Sequence, residues 1–162
     1  MKNFRFKAIR PGWSLGVRSC ALLLAFAAAP SAAAEDRVQF LDPLDNTPLD
    51  VPDQDATDAV TQFHHSGENP YAGDQQAIAE GQKLYKRWCQ ACHLPDGTGR
   101  IGPNLVDQQW NHERTGTDIG MFEIIYAGGA GAMQPFGQRL SQDEILQVMA
   151  FLVSLRAAPK SE

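Results

Sequence analysis

The sequence predicts a mainly α domain preceded by an extended N-terminal arm, and three observations lead there. Residues 74 to 157 hold three segments with apolar side chains at helical spacing, each with its own start or stop signal. The stretch between Leu94 and Gly116 is rich in Gly, Pro, Asn and Asp, which supply turn conformations. Residues 35 to 73 are rich in Asp, Pro and Thr, with only short apolar elements. The 162 residues, 43% hydrophobic and 20% charged with 3 Cys, suit one modest domain and exclude collagen, coiled coil and a disulfide-stapled mini-protein.

Residues 1 to 34 carry five basic residues, Lys2, Arg5, Lys7, Arg10 and Arg18, and no acidic one. They run into the ten-residue apolar stretch Cys20 to Ala29, then Pro30 and the small residues Ser31 to Ala34. This is the pattern of a secretory signal peptide, with cleavage expected between Ala34 and Glu35. The apolar run falls short of the roughly 20 residues that a membrane span needs. The mature chain is therefore expected in the periplasm, with no membrane insertion after cleavage and without Cys20.

Removal of the leader leaves nine basic residues against 19 acidic ones, a formal charge of −10. That balance excludes nucleic acid as a partner. Nine acids lie between residues 35 and 70, opposed by Arg37 alone. They serve either as a solvated extension or as a docking surface for a basic partner. With Val38 to Leu41 and Ala59 to Phe63 as its short apolar elements, this segment reads as an extended arm that lies on the main domain, with one short strand and one helical turn.

The first helix is predicted over 74–90, capped by Asp74, with Ile78, Leu84, Tyr85 and Trp88 buried. The second runs from Thr117 to Ala127, with Ile119, Phe122, Ile125 and Tyr126 on its apolar positions, and is stopped by Gly128 and Gly129. A Gly-rich loop follows as far as Arg139. Ser141 and Glu144 form a capping box for the third helix. Its apolar face is Ile145, Val148, Met149, Leu152 and Leu155, and residues 158 to 162 are a tail. Three helices joined by long loops bury little by themselves, so a further apolar body is expected inside.

Cys89-Gln-Ala-Cys92-His93 supplies it. Cys-x-x-Cys-His is the attachment pattern for one covalent haem c. Two thiols three residues apart at a helix end reach the two vinyl groups of the porphyrin, and the adjacent imidazole is held beneath the iron. A thioredoxin-like dithiol would need a strand and helix pattern that the surroundings lack, and a zinc half-site would need two further ligands. The expected metal ligands are His93 and Met133. A Met thioether is the axial ligand that raises the potential of electron-transfer cytochromes. Met133 sits in the glycine-rich run Gly128 to Gly137, where backbone can pass close over a flat ring. Met121 and Met149 lie in helical patterns and read as core. His64, His65 and His112 are the rival ligands and read as surface residues, while an open sixth position would permit peroxidase or sensor chemistry.

Ile101-Gly102-Pro103-Asn104-Leu105 is expected to cover the His93 side, with the Pro103 carbonyl accepting the imidazole proton and orienting the ring. Trp110 either hydrogen-bonds a haem propionate or packs on the porphyrin edge. The many Asp residues show no ordered calcium-ligand spacing.

With its helix leading into CQACH, then IGPNL, a Met loop and an amphipathic C-terminal helix, the chain resembles the class I cytochromes c. More narrowly it is similar to the cytochrome cL family, through HSGENPY (to Tyr71), IGPNLVDQQW (Ile101 to Trp110), TDIGMFEIIYAGGAGAM (Thr117 to Met133) and its acidic character. The resemblance implies the class I cytochrome c fold over residues 74–157, with Cys89, Cys92, His93 and Met133 in the family's haem roles. It further implies a monomeric electron-transfer protein, not an enzyme. Its electron donor would be a quinoprotein (PQQ) alcohol dehydrogenase, with methanol as the expected alcohol. Its acceptor would be a downstream cytochrome c or oxidase. The chain is shorter at the C-terminus than the family pattern and lacks an extra cysteine pair there. A general cytochrome c serving an oxidase, or a cytochrome docked permanently as an enzyme subunit, remain the competing readings.

Overall fold

The computed structural model describes residues 37–53 and 56–157, so the signal segment, its cleavage site and the C-terminal tail lie outside the described residues. Five helices follow in order: α1 (Asp58–Ser66), α2 (Gln75–Trp88), α3 (Gln90–His93), α4 (Asp118–Ala127) and α5 (Gln142–Ala157). A 3-10 turn at Glu113–Gly116 precedes α4. Among the described residues the only β pairing is an isolated antiparallel bridge between Leu41 and Pro48.

The helix ends follow from local chemistry. Asp74 accepts from the Ala77 amide at 2.8 Å, and Thr117 from the Gly120 amide at 3.1 Å, each satisfying a donor that the first turn leaves open. The Ser141 hydroxyl accepts from the Glu144 amide at 3.1 Å while Glu144 accepts from the Ser141 amide at 2.8 Å, the reciprocal pattern of a capping box. The predicted first helix is broken at Cys89, which ends α2 and opens the single turn of α3.

α2 and α5 cross closely. A Cβ on Gly81 would lie 2.0 Å from the Gln147 carbonyl oxygen, so only glycine lets the two backbones meet there. α5 buries Leu146, Ala150 and Phe151 in addition to its predicted face, because α2, α4 and α1 all pack on it. Tyr85 of α2 stands 5.2 Å from Phe151, centroid to centroid.

The acidic segment differs most from its composition. It contains a nine-residue helix, α1, with Thr57 as N-cap and Gly67 closing the C-terminus, in place of a single turn. Its apolar residues Phe40, Val51, Val60 and Phe63 belong to the core. Phe40, Phe63 and Phe122 of α4 form a triangle with centroid separations of 5.9, 5.3 and 5.1 Å. Each such side chain contributes about 1.5–3 kcal/mol through burial, which a count of aspartates does not reveal.

Polar ties fix this segment further. Glu123, 1% exposed, accepts from Arg114 Nε at 2.6 Å, from Arg114 Nη2 at 2.9 Å and from the Leu41 amide at 2.7 Å. Asp143 accepts from Thr57 at 2.6 Å and from the Tyr71 hydroxyl at 2.8 Å. Burial, with that bond, pushes the Tyr71 phenol up to about 12, so it remains a donor at neutral pH. Asn69 reaches from the same stretch to the Leu146 carbonyl at 2.8 Å.

Candidate functional site

α2 and α3 deliver Trp88, Cys89, Cys92 and His93 to one wall of a cavity of about 400 Å³. The backbone after His93 folds back onto this turn. The Cys92 carbonyl lies 3.2 Å from the amides of Arg100 and Ile101 and 3.0 Å from that of Gly102. The Gly99 amide donates to the His93 carbonyl at 3.1 Å. Tyr85, fully buried, donates its hydroxyl to the Leu94 carbonyl at 2.7 Å, and burial raises its phenol well above the ordinary range. Leu94 itself has φ +62°, a strained conformation for a branched side chain, at the point where the chain leaves the motif.

His93 is thereby over-determined. Its Nδ1 stands 3.0 Å from the Pro103 carbonyl oxygen, which leaves Nε2 to serve as a ligand atom. A Cβ on Gly102 would lie 2.4 Å from His93 Cε1, so the strand of chain carrying Pro103 passes directly against the ring. Cys89 and Cys92 are not joined to each other in a disulfide. Burial pushes the Cys89 thiol up to about 12, the reverse of the depressed pKa of a redox dithiol. Among the described residues, no group of three or more His, Cys, Asp or Glu side chains is placed to hold a metal ion by itself.

The opposite wall comes from the loop after α4. The Phe136 amide donates to Ile125 at 3.1 Å and the Gly137 amide to Tyr126 at 3.0 Å, which pins the loop to α4 beyond Met133. Met133 is half-buried and lines the cavity, its sulfur 3.4 Å from where a Cβ on Gly129 would stand. Pro103 and Trp110 line it too, so all six site residues named from the sequence, Cys89, Cys92, His93, Pro103, Trp110 and Met133, face one space.

The rival ligands separate. His64 is 1% exposed, not a surface residue, because α1 turns it inward, where it meets Asp53, Arg37 and, at 2.7 Å, Gln142. Desolvation opposes the Asp53 carboxylate, but hydrogen bonds from Arg37 and His64 outweigh it and hold its pKa below the ordinary value. His65 is exposed. Met149 is wholly buried in the core, whereas Met121 and His112 line the cavity. Arg156 lines it as well and was not singled out from the sequence, although it continues the Val148, Leu152 stripe of α5 at a spacing of four.

The residues present suit a haem. The cavity falls in the range of cofactor sites, it is apolar around Ile124, Leu140 and Leu152, and two thiols and an oriented imidazole share its wall.

Several known proteins are similar to this chain. The family described as "Cytochrome C oxidase, cbb3-type, subunit III" matches residues 76–152. Cytochrome c-L of Methylorubrum extorquens is 32% identical over 152 residues, 91% of this chain and 77% of the relative. The chain belongs to the cytochrome c-L family. The crystal structure of cytochrome cL from the marine methylotrophic bacterium Methylophaga aminisulfidivorans has a TM-score of 0.69 at 34% identity, over 73% of this chain and 81% of that one. Cytochrome cL from Hyphomicrobium denitrificans gives 0.68 at 33% identity, over 72% and 73%. A cbb3-type oxidase subunit CcoP from Rubrivivax gelatinosus is 36% identical over 93 residues, 56% of this chain and 30% of that subunit.

As a cytochrome c-L family member the chain has the class I cytochrome c fold, binds haem c covalently and is an electron-carrying cytochrome. No helix among the described residues is long and apolar enough to cross a membrane.

Proposed function

We propose that this protein is a periplasmic one-electron carrier that accepts electrons from a PQQ-dependent alcohol dehydrogenase, with methanol as the alcohol, and passes them to a downstream cytochrome or oxidase. The observation that carries this reading is likeness to cytochrome c-L across 91% of the chain, a span that extends well beyond the residues of the haem motif. The acidic surplus of the mature chain, which includes nine acids between residues 35 and 70, supports association with a basic face of the donor. The carrier performs no chemistry on the alcohol itself.

In this reading Cys89 and Cys92 would hold the haem through thioether bonds, and His93 Nε2 and the Met133 sulfur would be the protein's ligands to its iron. The haem iron supplies the one-electron couple. The protein's contribution is to position and tune it. The Pro103 carbonyl fixes the tautomer and plane of His93 and makes the imidazole a stronger donor. Leu140, Val148 and Leu152 give the cavity an apolar lining. Met133 would supply a soft, neutral thioether, a ligand type that favours the reduced state.

Stopped-flow reduction of the purified holoprotein by methanol-specific and ethanol-specific quinoprotein dehydrogenases tests the proposal. Fast reduction by the methanol enzyme, slowing as salt rises past the point where charges beyond about 8 Å are screened, is the expected result. Failure with both enzymes, in protein with a normal Met-ligated spectrum, would leave a general cytochrome c with another donor.

A further inference from the structure

Arg156 is a cation in the cavity wall to which the roles above give no task. Near the C-terminal end of α5, it follows Val148 and Leu152 at intervals of four, so the helical period turns all three toward the cavity they line. Its guanidinium carbon stands 4.4 Å from the centroid of the Trp110 ring. Its Nε donates to the Leu105 carbonyl at 2.8 Å. Trp110 is confined from another side, since a Cβ on Gly116 would lie 2.9 Å from its Nε1. The stacking plate is therefore fixed.

These contacts use one of the five N–H donors of a guanidinium. Among the described residues, no carboxylate lies within ion-pair distance of Arg156. Burial works against its charge and lowers its pKa, while Asp118 and Asp107 support the charge only through space. A partly buried cation without an anionic partner is costly, and the remaining donors call for an anion. His112 and Thr115 also line this cavity, which is otherwise largely apolar.

We propose that Arg156 is the anion-binding group of the haem cavity, its free guanidinium N–H groups taking a propionate carboxylate of the porphyrin while Trp110 serves as the plate that holds the guanidinium in place. This deepens the reading of the cavity as the haem site and rests on it. It also assigns Trp110 a different part, as the support of the donor. A cation beside the propionate cancels a negative charge that would otherwise favour ferric iron, so Arg156 acts as a positioning residue that raises the reduction potential.

The test is an equilibrium redox titration of wild-type, Arg156→Gln and Arg156→Lys holoproteins at one pH and ionic strength, with covalent haem content measured alongside. Arg156→Gln is expected to shift the reduction equilibrium about tenfold toward the ferric state, which is 59 mV for one electron. Arg156→Lys keeps the charge without the fork and is expected to recover most of that shift. A purely structural role at the end of α5 would lower the melting temperature and leave the potential alone; a shift under twofold in Arg156→Gln overturns the proposal. If the Gln variant yields no holoprotein, Arg156→Met, which keeps the apolar stem against Trp110 and removes the charge, decides: the same shift of about tenfold is expected, and a wild-type potential would overturn the proposal. Wild-type protein lacking covalent haem would mean that the cavity reading itself has failed and would take this proposal with it.

Discussion

The two walls of the haem cavity are held in different ways. On the His93 wall three amides converge on one carbonyl, that of Cys92, the ring is tied to Pro103 at 3.0 Å, and Tyr85 secures the exit at Leu94. On the Met133 wall the loop is pinned to α4 at Ile125 and Tyr126, and the methionine itself is held by a single backbone bond, from the Gly129 amide to its carbonyl at 3.2 Å. Rigid placement belongs to the imidazole, whose plane and tautomer matter to the iron. The thioether is flexible and polarizable, and a looser loop suits it. One wall defines a geometry and the other closes on it.

The largest effects are expected on the His93 wall, which carries the two cysteines. Cys89→Ala with Cys92→Ala is expected to abolish covalent haem, measured as haem that acidified organic solvent extracts completely; retention would show that the motif is not the attachment site. Met133→Ala is expected to leave the haem attached, remove the sulfur-to-iron absorption band and lower the potential by ~0.1 V, a fraction of the ≈ 0.8 V through which axial ligands tune haem. An unchanged spectrum would pass the ligand role to Met121 or His112, which share the cavity.

The same contrast explains what could be read from the sequence. The His93 wall was legible because covalent chemistry dictates residue types at fixed spacing, and because a Gly-Pro pair beside the motif narrows the choice of carbonyl. The helix caps Asp74, Ser141 and Glu144 were legible for a similar reason, since each satisfies donors within three residues of itself. That Met133 lines the cavity was legible only from its glycine context. Arg156 was not, since one charged residue on an apolar stripe looks like the end of the stripe until the cavity shows what it faces. His64 and the core residues Phe40 and Phe63 were hidden by composition, because the acids around them face solvent while the apolar side chains between them turn inward. Long-range partners such as Gln142 for His64, and Arg114 with Leu41 for Glu123, leave no local mark.

One substitution made on each wall sharpens the comparison. At Gly102 an added Cβ would stand 2.4 Å from His93 Cε1 and 2.7 Å from Nδ1. The ring cannot retreat without losing Pro103, so Gly102→Ala is expected to cost about 1–3 kcal/mol in denaturant unfolding and to perturb the haem spectrum. At Gly129 the nearest atoms are the Met133 sulfur and Ile124 Cδ1, both at 3.4 Å and both the far ends of flexible side chains. Gly129→Ala is therefore expected to stay within about 0.5 kcal/mol of wild type and to preserve the sulfur-to-iron band. Equal losses for the two variants would mean that the Met133 loop is as tightly specified as the His93 wall, and the division of labour between a fixed imidazole and an adaptable thioether would not stand.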